Sequence, residues 1–199
     1  TQAVGISDSG SSNFVRSLTQ CTSCLGLKRR DSMPDSRPRE RADTIARMSE
    51  QRTWTVYLAG EIHSDWRDRI AAGVREAGLP VELVAPVTDH AASDDVGVDI
   101  LGAEPDKFWH DHKGAGINAI RTQTLLRRAD VVVVRFGDKY RQWNAAFDAG
   151  YAAALGKPII TLHPPEHDHA LKEVNRAALA TAREPEQVVE ILRYVIAKD

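Results

Sequence analysis

The chain has 199 residues, 42% of them hydrophobic, and a formal net charge of −2. That length suits one α/β domain with a substantial core plus some excess, and the near-neutral balance excludes a basic field for nucleic acid as the main partner. No apolar run approaches the roughly 18 residues that span a bilayer, and the two cysteines, Cys21 and Cys24, exclude a disulfide scaffold and fit a reducing, cytoplasmic setting.

Residues 1–50 are rich in Ser and Arg, with "GLKRRDSMPDSRPRERAD" as the clearest polar block. They carry no sustained period of either kind and are expected to form a disordered extension. No apolar h-region marks a secretory signal. Their Arg and Ser content would suit a transit peptide, but Asp31, Asp35, Glu40 and Asp43 oppose it. "MSEQRTW" from Met48 reads as a start just ahead of the first strand, so the extension is expected to have no role in the fold. Cys21-x-x-Cys24 within it is half a zinc site with no second cysteine pair, and no metal is expected there.

The domain is expected over residues 54–199. "TVYLAG" (55–60) is a short apolar run ending in Gly, which predicts a buried strand. Ser64 is placed to cap a helix "DWRDRIAAGVREA" closed by Gly78. "VELVAPV" (81–87) predicts the second strand, and the polar segment 88–113 a long loop or irregular insert. "INAIRTQTLLRRA" (117–129) has apolar residues at helical spacing, and "DVVVVRF" (130–136) suits a central parallel strand. A helix around 143–155 ends at Gly156, and "PIITLH" (158–163) is the fourth strand. A helix near 169–177, a short strand near 178–182 and a helix from Pro185 to about Ala197 complete the pattern. This alternation predicts a doubly wound parallel five-stranded sheet of order 2-1-3-4-5 with helices on both faces. Ligands of such sheets bind beyond the carboxyl ends of the strands.

The loops at that end carry the polar residues. In "AGEIHSDWR", Gly60 lets backbone approach a ligand, the helix start at Ser64 favours an anion, and Arg67 adds a charge-assisted contact to phosphate. Glu61 and His63 stand where the strand runs into the crevice. The same residues also read as an ordinary strand–helix turn. No G-x-G-x-x-G is present, so a dinucleotide fingerprint is absent, and no cofactor is expected. In "FGDKYRQWN", Gly137 ends the third strand, while Tyr140 and Trp143 offer faces for a nucleobase or cover the sheet edge. Asp148 lies among small residues with no cation at helical spacing, where a carboxylate could attack an anomeric carbon. "WHDH" (109–112) and "HPPEHDH" (163–169) are histidine-rich, but neither has a zinc spacing, and the acidic "SDDVGVDI" (93–100) lacks an EF-hand pattern.

"TVYLAGEIHSDWR", "FGDKYRQWN" and "DAGYAAALGKPII" together resemble the YtoQ family over about residues 54–197. That family is similar in turn to the nucleoside 2-deoxyribosyltransferases. The resemblance implies a flavodoxin-like sheet, a Tyr-Leu-Ala-Gly-type first strand and a Gly-Thr-x-x-Glu-x-Gly helix whose Glu is the nucleophile. Here that motif reads Asn144-Ala145-x-x-Asp148-x-Gly150, so the resemblance puts the nucleophile at Asp148, one methylene shorter. An Asp that those enzymes tend to carry before the third strand corresponds to Asn118-Ala119.

The expected function is cleavage or transfer at the N-glycosidic bond of a nucleoside or nucleotide. Asp148 acts at the anomeric carbon, Asn144 orients it or binds a sugar hydroxyl, and Glu61 or His63 donates a proton. Ser64 and Arg67 hold the 5′ end. A non-catalytic nucleotide-binding module on the same fold is the alternative. The expected partners are a small-molecule nucleoside or nucleotide and further copies of the chain, with no nucleic acid and no membrane.

Overall fold

A computed structural model describes residues 52–138 and 142–196. The expected extension over residues 1–50 and Tyr140 lie outside the described residues. Five strands form one sheet: β1 (Trp54–Gly60), β2 (Val81–Val84), β3 (Val131–Arg135), β4 (Ile159–Leu162) and β5 (Ala180–Ala182). The order is β2-β1-β3-β4-β5, and every pairing is parallel. This is the predicted topology. It follows from strands that are apolar on both sides: Val131 to Val134 are all buried.

Alternation along the strands divides the core into two layers. Val56, Leu58, Val133 and Leu162 face α1 (Trp66–Glu76) and α7 (Pro185–Ile196). Tyr57, Ala59, Val132 and Val134 face α4 (Lys107–Arg128) and α5 (Trp143–Ala154). Ala145, Ala149 and Ala152 bring α5 close to the sheet because nothing larger than a methyl group separates the backbones. A 3₁₀ turn, Pro165–His167, and a short helix, α6 (Lys172–Ala177), link β4 to β5.

The segment 88–113 differs from the expected loop. It holds α2 (His90–Asp94) and α3 (Val96–Leu101), and α4 begins at Lys107, ten residues before its apolar period becomes regular. The Asp89 and Asp106 side chains cap α2 and α4, accepting from the N–H groups of Ala92 and Trp109. Gly97 and Gly114 let α3 lie directly on α4: a Cβ at Gly97 would sit 2.2 Å from the Gly114 nitrogen. Close packing through glycine replaces the apolar stripe that marks a helix in sequence.

Candidate active site

The turn after β1 is built by its own polar residues. Gly60 has φ +102°, and a Cβ there would lie 2.1 Å from the Arg135 carbonyl oxygen. The close approach that requires glycine is therefore to β3 rather than to a ligand. The next residue, Glu61, is 5% exposed and donates its N–H to the same Arg135 oxygen at 3.1 Å. Its carboxylate accepts from the His63 N–H and the Ser64 hydroxyl. Gly137 makes room for it, since a Cβ there would stand 2.5 Å from Glu61 Cγ.

Ser64 thus ties the turn together and does not cap the helix as expected. The N-cap position belongs to Asp65, and no side chain caps α1. Arg67 faces inward. Its Nη1 donates to the Glu61 carbonyl at 2.6 Å, its Nη2 to Gly60 at 3.0 Å, and its Nε to Leu58 at 3.2 Å. The guanidinium also lies over the Trp66 ring, 4.4 Å from its centroid. Burial lowers the Arg67 pKa to about 10, so it stays charged at neutral pH. In this geometry it organises the turn instead of reaching out to a phosphate. The His63 ring is exposed and stacks on His90, with centroids 5.4 Å apart.

Asp148 has a different environment. It shares the sheet-facing side of α5 with Ala145, Ala149 and Ala152, and it is half-buried. No hydrogen bond or ion pair joins its carboxylate to any described residue. Burial raises its pKa to about 6. Tyr57, projecting from β1 into the same layer, is fully buried. Its hydroxyl has no hydrogen-bond partner; Thr122 stands beside it and favours the phenolate slightly, but the geometry falls short of a bond. Burial first, then the negative charge of Asp148, pushes the Tyr57 pKa up to about 12, against a smaller opposing pull from Arg67 and Arg121. Asp148 and Tyr57 are therefore electrostatic neighbours, each lacking a partner. Sequence reading missed Tyr57 because an aromatic residue in "TVYLAG" reads as core; the signal was its alternation with Val56 and Leu58 onto the layer that Asp148 faces.

The structure brings Gly60, Glu61, Ser64 and Arg67 into one bonded knot, with Gly137 packed against the Glu61 side chain. Asp148 takes no part in that hydrogen-bonded turn. Trp143, at the first position of α5, is 73% exposed, and Asn144 is exposed beside it. Among the described residues, no group of three or more His, Cys, Asp or Glu side chains converges as a metal site. His163, from the second histidine-rich segment, is fully buried in a polar network: Nδ1 meets the Pro164 carbonyl at 2.9 Å and Nε2 meets Asn175 Oδ1 at 3.0 Å.

The sequence model of the family described as nucleoside 2-deoxyribosyltransferase YtoQ matches residues 57–196. The chain belongs to the YtoQ family. It is 43% identical over 140 residues to the protein YtoQ of Bacillus subtilis (strain 168), covering 70% of this chain and 95% of that protein. A second relative, named 5-hydroxymethyl-dUMP N-hydrolase, from Rattus norvegicus, is 29% identical over 147 residues, covering 70% of this chain and 78% of its own length. Among solved structures, a conserved protein from Enterococcus faecalis V583 superposes with a TM-score of 0.51 at 15% identity, covering 72% of this chain and 99% of that one; this likeness concerns the fold alone. The family match spans β1 through α7, so both the Glu61 turn and Asp148 lie within it. No helix among the described residues is long and apolar enough to cross a membrane.

Proposed function

We propose that this YtoQ-family protein breaks, or transfers across, the N-glycosidic bond of a nucleoside or nucleotide, with Asp148 as the nucleophile. The observation that carries the reading is the Asp148 carboxylate itself, half-buried, without a partner among the described residues, and acting electrostatically on a buried Tyr57 hydroxyl that also lacks one. Polar groups left unsatisfied in a fold this well bonded are matched by a ligand. The names of the family and of the rat relative, which describe deoxyribosyl transfer and N-hydrolysis, support the same chemistry.

In the reaction, an Asp148 oxygen bonds to the anomeric carbon as the C–N bond to the base breaks. The departing base takes the electron pair of that bond and a proton. The Tyr57 hydroxyl donates to the free oxygen of Asp148 and orients the attack. Both Glu61 oxygens already accept hydrogen bonds within the turn, so His63 at the exposed rim carries the proton-donor role. Water then attacks the glycosyl ester in a hydrolase, or a second base in a transferase, and Asp148 is released. Asn144 and Trp143 flank the sugar and base at the helix start. A cytoplasmic location accompanies this reading.

A homo-oligomer is part of the proposal, supported by Phe108 and Ile120 on α4 and by Trp143 and Phe147 on α5, each more than half exposed. Light scattering after size exclusion would show it, and a monomer would remove it.

The test of the reaction is chromatographic detection of free base from a panel of nucleosides and their 5′-monophosphates, with and without an acceptor base. Release that disappears in Asp148→Asn supports the reading. Binding without release, equal in both proteins, would mark a nucleotide-binding module instead.

A further inference from the structure

A cavity of about 310 Å³ opens at the carboxyl ends of β3, β4 and β5, between the starts of α1 and α7. Its walls include Trp66 and Arg69 from α1 and Pro185 from α7. It therefore lies on the α1/α7 side of the sheet, opposite the layer that holds Asp148 and Tyr57.

Three arginines line it, and they differ in what they already bind. Arg183 is held by Asp168 through two bonds, at 2.7 and 3.1 Å. Arg69 binds Glu186 through Nε at 3.0 Å and Nη2 at 2.7 Å, and Glu184 through Nη2 at 3.2 Å, which leaves Nη1 uncommitted. The Arg135 side chain makes no hydrogen bond or ion pair with any described residue, and its Nε is sealed from water without a partner. The backbone that launches this side chain is fixed by the β1–β3 ladder, so the charge is presented from a rigid strand end. A guanidinium is permanently charged, and a buried N–H on it calls for an oxyanion acceptor.

The other charged groups narrow the ligand. Asp65 and Asp138 also line the cavity, and neither side chain bonds to a described residue. Two carboxylates beside Arg135 oppose a bare phosphate ion but accept hydrogen bonds from sugar hydroxyls. The volume is at the small end of ligand sites, which run from about 300 Å³ upward.

We propose that this cavity is a second ligand site that takes a small sugar phosphate, with Arg135 and Arg69 on the phosphate and Asp138 on a sugar hydroxyl. The site stands on its own residues and does not depend on the reaction at Asp148, although N-glycosidic hydrolysis of a nucleotide would release a ligand of this kind.

Isothermal titration of the full chain with ribose 5-phosphate, ribose and inorganic phosphate tests it. Wild type binds ribose 5-phosphate more tightly than either fragment. Arg135→Gln weakens ribose 5-phosphate at least tenfold, and Asp138→Asn weakens it while leaving inorganic phosphate unchanged. Circular dichroism reports whether Arg135→Gln folds; if it does not, Asp138→Asn decides. No binding of ribose 5-phosphate by wild type, or unchanged affinity in Asp138→Asn or in a folded Arg135→Gln protein, would overturn the assignment. Inorganic phosphate binding as tightly as ribose 5-phosphate would overturn the sugar half of it.

Discussion

The turn after β1 and the sheet-facing side of α5 both place a carboxylate near the carboxyl edge of the same sheet, yet they are built in opposite ways. Around Glu61, both carboxylate oxygens accept hydrogen bonds, and the neighbouring Arg67 is bonded to three carbonyls. Around Asp148, no described residue answers the charge, and the buried hydroxyl of Tyr57, which feels that charge, is unanswered as well. A satisfied carboxylate holds a shape. An unsatisfied one costs stability and is kept where a ligand or a reaction uses it. The contrast is the reason the proposed reaction is placed at the second region and not at the first.

The largest effect is expected at Asp148. Asp148→Asn keeps the shape and removes the proposed nucleophile, so base release should fall on the order of 10³-fold or more, while the melting temperature holds or rises. A drop in melting temperature with activity retained would place Asp148 among the structural carboxylates. Next comes Arg67→Leu, which breaks the turn by removing a buried, charge-assisted set of bonds. It should cost about 3 kcal/mol of stability in chemical denaturation, and a change within experimental error would deny the turn its organising role.

A third, smaller effect concerns pH. The folded Asp148 pKa is raised to about 6 from an ordinary 3.8, so the native state holds this proton more tightly than the unfolded chain does. The sign follows: wild type should lose stability relative to Asp148→Asn as pH rises from about 4 to about 6, with the difference constant above that window. Turnover, which needs the ionised carboxylate, should rise over the same range. Matching pH–stability curves for the two proteins would remove burial as the cause.

The smallest effect on stability is expected for Tyr57→Phe. The lost hydroxyl has no partner, so stability should change by less than about 1 kcal/mol. Base release should nevertheless fall, with its rising limb displaced along the pH axis. A variant less stable by several kcal/mol would mean that the hydroxyl is bonded in solution, and the comparison with Glu61 would lose its sharpest point.

The sequence shows the sheet clearly because its strands are short, apolar on both sides and punctuated by Gly and Pro; even the order of strands follows from the alternation with helices. It does not show α2, α3 or the first turns of α4, because those helices pack through Gly97 and Gly114 instead of through an apolar stripe. Asp148 stands out in sequence through its motif and the absence of cations around it. The directions of Arg67 and Ser64 do not, since sequence gives the donors a side chain carries and not the acceptors that the folded turn supplies. Gly60 is informative in a way that invites the wrong partner: the residue type announces a close approach, and only the fold shows that β3 is what approaches.

The most direct test of a nucleophilic Asp148 is covalent trapping. Wild type is incubated with 2′-deoxy-2′-fluoroarabinosyl nucleosides, whose fluorine slows release of a glycosyl ester, and is then measured by intact-mass spectrometry and peptide mapping. The account predicts a single added fluorosugar carried by the peptide containing Asp148, with no addition in Asp148→Asn. Free base released from unmodified nucleosides with no adduct on wild type, or an adduct on Glu61, would contradict it.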